Sequence, residues 1–293
     1  PIAPRHDLTN QPWLGDEPRQ EAMVGLEMGR LGFSAWQGRG GAVSPFESGA
    51  GDGFAALAQA DHAVRGAVRL GPVSVSAEAG GGDRRMPLRP VEEDASTYSR
   101  ASLAWRTDGG GLAVSMGALN EKLGPLGAYM PSASDFALPS ETTFYALGGD
   151  WRLARRFSLV GEAGLARTTL SGRFLSMDQA ATSSNWRLGL LGDCAALCDR
   201  ISITLSQPLR VESGVFSARL ADAPLDYFDP LTFSRRTFSA TPSGRQIDFT
   251  VGARKGLRDG SALTVTGVAS REPQHVAGAR PAFALIGAWR RVF

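Results

Sequence analysis

The sequence has few of the residues that metal sites and nucleophilic catalysis usually need. It contains three histidines and two cysteines among 293 residues. Zinc sites draw mainly on these two residue types, so little material is left for one. His62 follows Asp61, but neither it nor His6 or His275 lies in a motif typical of a catalytic triad. We read all three as surface or loop residues and expect neither enzyme activity nor a cofactor.

The sequence also lacks a long apolar run and a strong positive charge, and each absence argues against one class of protein. No apolar run approaches the ~18–20 residues that a membrane helix needs, which argues against a helical membrane protein. The net charge of +2 gives no reason to expect a nucleic-acid partner. The glycine-rich runs 80–82 and 109–111 lack the Lys-Ser/Thr of a phosphate loop and indicate turns. With 43% apolar residues, the chain could still build one large or two small cores.

What the sequence does contain is alternation with a period of two. Val24, Leu26 and Met28 form one face of a segment whose other face carries Gly25 and Glu27. Such a period predicts a strand with one apolar side. The pattern recurs in about twelve segments, which places a single all-β domain at residues 21–293. Residues 1–20 contain four prolines and mixed charge, and we read them as a linker or pore segment.

The last strand has an aromatic end. Phe283, Leu285, Trp289 and Phe293 share one face with Gly287, whereas Ala288 lies on the opposite face. Outer-membrane β-barrels routinely end on such a strand, which the barrel assembly machinery recognises. The alternative is an ordinary terminal strand of a soluble sandwich.

The connections between the predicted strands alternate between short and long along the chain. This alternation would place all tight turns at one end and all large loops at the other, as in outer-membrane barrels. A soluble sandwich has no reason to sort its loops in this way. We therefore predict a transmembrane antiparallel up-and-down β-barrel of about 12 strands, with short periplasmic turns and long external loops. Its surroundings would be the lipid and lipopolysaccharide of a bacterial outer membrane.

Charged residues fall on the face opposite the apolar one. They are Glu27, Glu78, Arg100, Asp150, Glu162, Arg187, Asp248 and Arg254. Inside a membrane, charges are tolerable only where they face a wet or self-neutralising cavity, so we predict that these eight face a lumen. The alternative is that they mark the solvent side of a soluble sheet.

The two cysteines lie close together in a predicted short turn. Cys194 and Cys198 are separated by three residues, and only Asp193 and Asp199 could add metal ligands nearby. A disulfide formed in an oxidising compartment is the better interpretation. It would close a small loop, so its entropic contribution to stability would be modest.

Three segments and the final strand resemble one known family. The segments are Ser206–Gly214 (SQPLRVESG), Pro242–Arg245 (PSGR) and Arg271–Gly278 (REPQHVAG). Together they resemble the carboxyl-terminal translocator barrels of subtilisin-like serine-protease autotransporters. The resemblance implies a twelve-stranded barrel that anchors and helps to export an N-terminal passenger, with any protease activity in that passenger. Gly287 lies one place earlier than the glycine of the family's usual terminal strand. The alternative function is a stand-alone outer-membrane channel, or a barrel whose loops bind a partner.

Overall fold

The strands of this chain form a single antiparallel sheet. The computed structural model describes residues 22–37, 54, 57, 60–86, 89–122, 124–126, 138–172, 174–194, 198–222, 230, 232–257 and 261–290. Within these ranges 14 strands belong to one sheet, and strands next to each other in sequence are almost always neighbours in space. The prediction of an all-β, up-and-down antiparallel fold is confirmed.

The first seven strands are β1 (Ala22–Met28), β2 (Leu31–Gln37), β3 (His62–Leu70), β4 (Val73–Met86), β5 (Arg89–Thr107), β6 (Gly110–Glu121) and β7 (Ser140–Ala154). The remaining seven are β8 (Phe157–Leu170), β9 (Leu175–Gly192), β10 (Arg200–Ala221), β11 (Phe233–Ser239), β12 (Ile247–Gly256), β13 (Ala262–Arg271) and β14 (Ala282–Arg290). A single turn of 3-10 helix, Pro273–His275, lies between β13 and β14.

The described residues form 14 strands rather than about twelve. One reason is that the first predicted strand is a hairpin, β1 and β2, joined at Gly29 and Arg30. Gly29 has a φ of 63°, a left-handed conformation that glycine adopts without steric cost. The other reason is β11, which lies in the stretch from about 207 to 242, whose sequence predicts a mostly irregular region.

The sequence predicts long connections at about 81–95 and 167–183, but both segments are largely strand, so the predicted alternation of short and long connections is only partly followed. The charged segment 81–95 contains the ends of β4 and β5, which are joined through residues 87 and 88. The segment 167–183 contains the end of β8 and the beginning of β9. The sequence of these extensions lacks the apolar alternation from which a strand is predicted.

The long strand β10 has two different neighbours on one of its edges. Its first part, from Arg200 to Ser206, pairs with β12, and its last part, from Val215 to Ala221, pairs with β11. On the other edge it pairs with β9 along its length, with register shifts between residues 207 and 216. Such bulges bend a strand and increase its twist, so the change of neighbour coincides with a bend in β10.

The two faces of the sheet have an unusual distribution of exposure. Large apolar side chains are exposed along one face, among them Leu103, Val114, Leu147 and Leu188. The other face is the shielded one, yet it carries buried polar side chains such as Thr142, Thr168 and Ser183. All described strands belong to this one sheet, so within the described residues no second sheet covers the polar face.

The strands β1 and β14 stand at the two ends of the strand order. Among the described residues each pairs with a single neighbour, β2 and β13 respectively. Phe283 and Leu285 of β14 are each 80% exposed, on the same face as Trp289. Gly287 is exposed in the same register, opposite Val265. Phe293, the last residue of the predicted assembly strand, lies outside the described residues, as does the segment 1–20.

Candidate functional site

A buried ion pair lies on the polar face between β4 and β5. Glu78 and Arg100 are directly opposite each other in the ladder, and an Arg100 terminal nitrogen donates to Glu78 Oε2 at 2.8 Å. The Tyr98 hydroxyl donates to the other oxygen of the same carboxylate. Glu78 is 5% exposed and Arg100 is 8% exposed. Buried charges are costly unless paired and hydrogen-bonded, and here both conditions are met.

A second pair on this face joins neighbouring strands. Glu162 of β8 and Arg187 of β9 are opposite each other, with 3.4 Å between Oε1 and a terminal nitrogen, and both are half-buried. The structure thus brings together four of the eight predicted lumen-facing charges as two cross-strand pairs. Whether they line a lumen stays a prediction.

The other four predicted lumen-facing charges are less buried than the Glu78–Arg100 pair. Asp150 lies 3.6 Å from Arg106 in an exposed pair, and Asp248 accepts from the Gln246 side-chain amide at 2.9 Å. Glu27 and Arg254 are exposed.

An aromatic cluster lies on the polar face next to the Glu78–Arg100 pair, to which its member Tyr98 is hydrogen-bonded. Phe54, which precedes β3, is 1% exposed and stacks on Phe144 of β7 with 5.8 Å between ring centroids. The other buried members are Trp36, Ala60, Ala63, Tyr98, Leu119 and Ala166. We call this group the Phe54 cluster. Phe54 does not belong to a strand, so the cluster shows that a residue from a connection packs against the polar face of the sheet.

Polar atoms near the Phe54 cluster lack partners. The Trp36 Nε1, Ser115 Oγ, Ser183 Oγ and Asn185 Oδ1 atoms are buried and have no hydrogen-bond partner among the described residues. Buried polar groups in this situation are usually satisfied by ordered water. The polar face therefore fits a wet interior beside the cluster.

A second polar network lies where β10 changes its neighbour. Glu212 accepts from Ser184 at 2.6 Å and from Arg245 at 2.7 Å, and it also pairs with Arg210. Arg210 Nε donates to the Gly244 carbonyl at 2.9 Å. Gln207, 1% exposed, donates to Ser184 Oγ at 3.0 Å. We call these residues the β10 network.

His275 ties the loop after β13 to this network. Its Nδ1 accepts the backbone N–H of Gln246 at 2.9 Å, so its Nε2 carries the proton and donates to the Leu209 carbonyl at 3.0 Å. Burial lowers the pKa of His275 below its ordinary value, and the nearby Arg210 and Arg245 guanidinium groups lower it further. The ring is therefore neutral and is held by backbone atoms on both sides.

The two loops at this point touch closely. The Gly244 N–H donates to the His275 carbonyl at 2.7 Å, and a side chain at Gly244 would begin 2.5 Å from the backbone nitrogen of Ala277. Glu272 accepts the Arg245 N–H at 2.8 Å, and this bond holds the pKa of the Glu272 carboxyl below its usual value. The three segments quoted for the family resemblance thus meet at one place in the fold.

The predicted cysteine pair closes the turn between β9 and β10. The structure joins Cys194 and Cys198 in a disulfide. Beside it, Asp199 accepts the Gly256 N–H at 2.6 Å and lies 3.3 Å from Lys255 Nζ. The Gly256 hydrogen bond and the lysine lower the pKa of the Asp199 carboxyl. These contacts tie this turn to the end of β12.

Neither a metal-binding cluster nor a membrane-spanning helix is present in the described part of the chain. No group of three or more His, Cys, Asp or Glu side chains in these ranges could hold a metal ion. In the same ranges no helix has the length and apolar character to cross a membrane.

Most of this site has no signal in the local sequence. Phe54 lies in a glycine- and serine-rich stretch that indicates only a loop. Arg210, Glu212 and Arg245 are brought together by long-range pairing, which no local pattern encodes. His275 does lie in a loop, as expected, but it is half-buried rather than on the surface. The segments that carry the family resemblance meet here, but the resemblance does not predict the contacts between them.

Comparison with known proteins assigns no family to the chain. No protein-family model matches it, and neither a curated protein nor a solved structure does so. The family stays a prediction. A function for the chain must therefore be inferred from the geometry of the sheet and from the resemblance of its last third.

Proposed function

We propose that this chain is an outer-membrane β-barrel that anchors and helps to export an N-terminal passenger. The observation that carries the proposal is the reversed distribution of exposure. Apolar side chains such as Leu103 and Leu147 are exposed, while the Glu78–Arg100 pair is buried. Water would favour the opposite arrangement, whereas lipid outside and a wet interior favour this one.

Closure of the barrel is part of the proposal. A free β1 edge and a free β14 edge would leave unpaired backbone groups in lipid, where each costs several kcal/mol. Pairing of β1 with β14 would remove both edges. It would also place Phe283 and Leu285 among the lipid-facing residues of the neighbouring strands. The two strands would run parallel, because an order of 13 strands with antiparallel neighbours gives the first and the last the same direction.

The export role rests on the family resemblance. Its three segments converge on the β10 network and on His275, at the end of the sheet that carries the longer connections. A translocator needs that end of the barrel to keep its structure while a polypeptide passes through the interior. The interlocked loops 240–246 and 272–278 are suited to this requirement.

A second candidate is a stand-alone barrel that does not transport a polypeptide. The Phe54 cluster favours it, because an aromatic side chain already fills part of the shielded space. In that case the loops would bind a partner and the interior would stay closed.

One experiment separates membrane insertion from export. The chain would be expressed in a Gram-negative host with an N-terminal signal peptide and an epitope-tagged reporter placed before residue 1. We expect heat-modifiable migration on gels, which reports a folded barrel, together with antibody labelling of the reporter on intact cells. Heat-modifiable protein with an unlabelled reporter would contradict export and favour the second candidate. Protein that does not enter the membrane fraction would contradict the barrel itself.

The matched control is the same fusion with Asp in place of Leu285 on β14. This change puts a carboxylate on the exposed apolar face, so neither insertion nor surface labelling is expected. It shows that labelling depends on a membrane-inserted barrel and not on leakage from lysed cells.

A further inference from the structure

Strand β11 is open on one edge and on both faces. Within the described part of the chain it pairs with β10 alone. Six of its seven residues are exposed, and Ser234 is the exception. A strand of this kind presents a row of unpaired backbone groups that can template another strand.

The free edge can be assigned to particular residues. The Asp222 N–H donates to Thr232 O at 2.9 Å, and the Ala240 N–H donates to Gly214 O at 3.0 Å. Both pairs continue the β10–β11 register, and bonded residues alternate along an antiparallel strand. The even-numbered residues of β11 therefore bond to β10. Phe233, Arg235, Thr237 and Ser239 direct their N–H and C=O groups away from it.

Each face of β11 offers one arginine and one phenylalanine two residues apart. Phe233 and Arg235 share one face, and Arg236 and Phe238 share the other. Phe233 and Phe238 are about half exposed, and both arginine side chains are 63% exposed. An incoming strand would thus meet a cation and an aromatic ring on either side.

The charge around the edge is positive. Arg219 of β10 stands directly opposite Arg235. Asp178 pairs with Arg235, and Asp222 lies 4.0 Å from Arg236. The described side chains at this edge therefore comprise three guanidinium groups and two carboxylates. Like charges placed across a ladder repel, so a second β11 is disfavoured and a strand with carboxylates is favoured.

We propose that β11 is a docking site for an extended acidic peptide segment, which adds to the sheet as one more antiparallel strand. Backbone hydrogen bonds to residues 233, 235, 237 and 239 hold the segment, and cross-strand side-chain pairs select it. Two adjacent carboxylates face Arg235 and Arg236, and apolar residues face Phe233 and Phe238. The inference rests on the β10–β11 ladder and does not require the chain to transport a passenger.

The test uses a probe designed from this register. In the fluorescein-labelled heptapeptide TVTEETV, the glutamates stand opposite Arg236 and Arg235 and the valines opposite Phe238 and Phe233. Fluorescence anisotropy with the full chain should show saturable binding. The peptide TVTKKTV should bind at least about tenfold more weakly, because two favourable charge pairs become repulsive.

Variants at Thr237 separate edge pairing from simple charge attraction. Thr237→Pro removes an N–H that does not bond to β10 and blocks the edge, so binding of TVTEETV should fall at least about tenfold. Thr237→Val keeps that N–H and should bind like the parent. Far-UV circular dichroism should be unchanged in both, which shows that the sheet is intact.

Three results would overturn the proposal. They are equal binding of the two peptides, full binding by Thr237→Pro, and a lack of saturable binding by the parent chain. Dimerisation that Thr237→Pro abolishes would show that a second copy of the chain is the occupant, contrary to the expected charge repulsion.

Discussion

The imidazole of His275 holds one strand and two loops through backbone groups on both of its nitrogens. Nδ1 can accept the Gln246 N–H only while it is unprotonated. Protonation would place two hydrogens between these atoms. The titratable and charged groups around the ring are Arg210, Glu212, Arg245, Asp248, Arg271 and Glu272.

This geometry predicts a pH dependence of the loop contact. The pKa of His275 in the folded chain lies below its ordinary value of 6.5, so its contribution to stability is complete above that value. The contribution is lost as the pH falls through the folded pKa. We expect the NMR signal of the Gln246 amide in detergent micelles to shift or broaden as the pH falls below about 6.5.

Two variants control for this prediction. His275→Ala should remove the transition at the Gln246 amide, whereas His62→Ala should leave it in place, because the His62 side chain is 67% exposed and distant in the strand order. A transition that survives in His275→Ala would mean that another group, such as Glu272, controls the loop.

Phe54 is a second residue whose role can be isolated. Its complete burial predicts that Phe54→Ala lowers the free energy of unfolding by about 3 kcal/mol, as for other buried phenylalanines. If the Phe54 cluster closes the interior, the same change should raise single-channel conductance in planar bilayers. Phe249→Ala, on an exposed side chain, should change neither quantity by a comparable amount.

A change at a glycine can reach the same ring without altering it. A side chain at Gly164 would clash with Asn185 Oδ1 and would begin 2.8 Å from the Phe54 ring, so Gly164→Ala should displace both groups and reproduce the higher conductance. Conductance that is unchanged in both variants would show that the cluster is not the closure.

At the scale of secondary-structure elements, β14 gives the most specific prediction. Leu285 lies on the exposed apolar face, and Ala288 lies on the opposite face, paired with Thr264 of β13. Leu285→Asp should lower the heat-modifiable, folded fraction strongly, because a charge near the middle of a membrane costs up to about 2–4 kcal/mol, with Asp below Arg. Ala288→Asp should be tolerated much better. Equal folded yields would mean that the two faces are assigned wrongly.

The strands that the sequence predicted are those whose apolar alternation is continuous. The β1–β2 turn was missed although the sequence does signal it. The apolar positions change from even numbers, ending at Met28, to odd numbers, beginning at Leu31. A two-residue turn produces such a change of phase. Local alternation alone predicts one strand here, because each half fits the pattern on its own.

The polar beginning of β9 carried no comparable signal. Residues 175–183 pair with β10, yet polar side chains are distributed over both of their faces. The end of β10 does carry a signal, because Phe216, Ala218 and Leu220 form an apolar face, and this alternation predicts a strand extension over 215–220 that the structure contains. Hydrophobic periodicity identifies a strand only where one face is apolar. The β10 network was equally hidden, since Glu212 and Arg245 meet only after β12 has paired with β10.

At the scale of the whole molecule, the sorting of connections predicts a protease pattern on intact cells. Lys122 follows β6 at the end with the longer connections, whereas Arg155 and Arg156 form the exposed turn between β7 and β8 at the other end. External trypsin should cut near Lys122 and spare the Arg155–Arg156 turn until the membrane is broken. Cleavage at that turn in intact cells would reverse or exclude the predicted topology.

The pairing order of the sheet also sets the order in which its parts can assemble. Most ladders join strands that follow each other directly, so short loops close them at small entropic cost. The β10–β12 ladder is the exception, because Ser206 pairs with Asp248 across all of β11. Closure of this long segment should be the slowest step among the described ladders. Glu212 and Arg245 can form their contact only after β12 has paired with β10. We therefore expect this ion pair to stabilise a late stage of folding and not the folding nucleus.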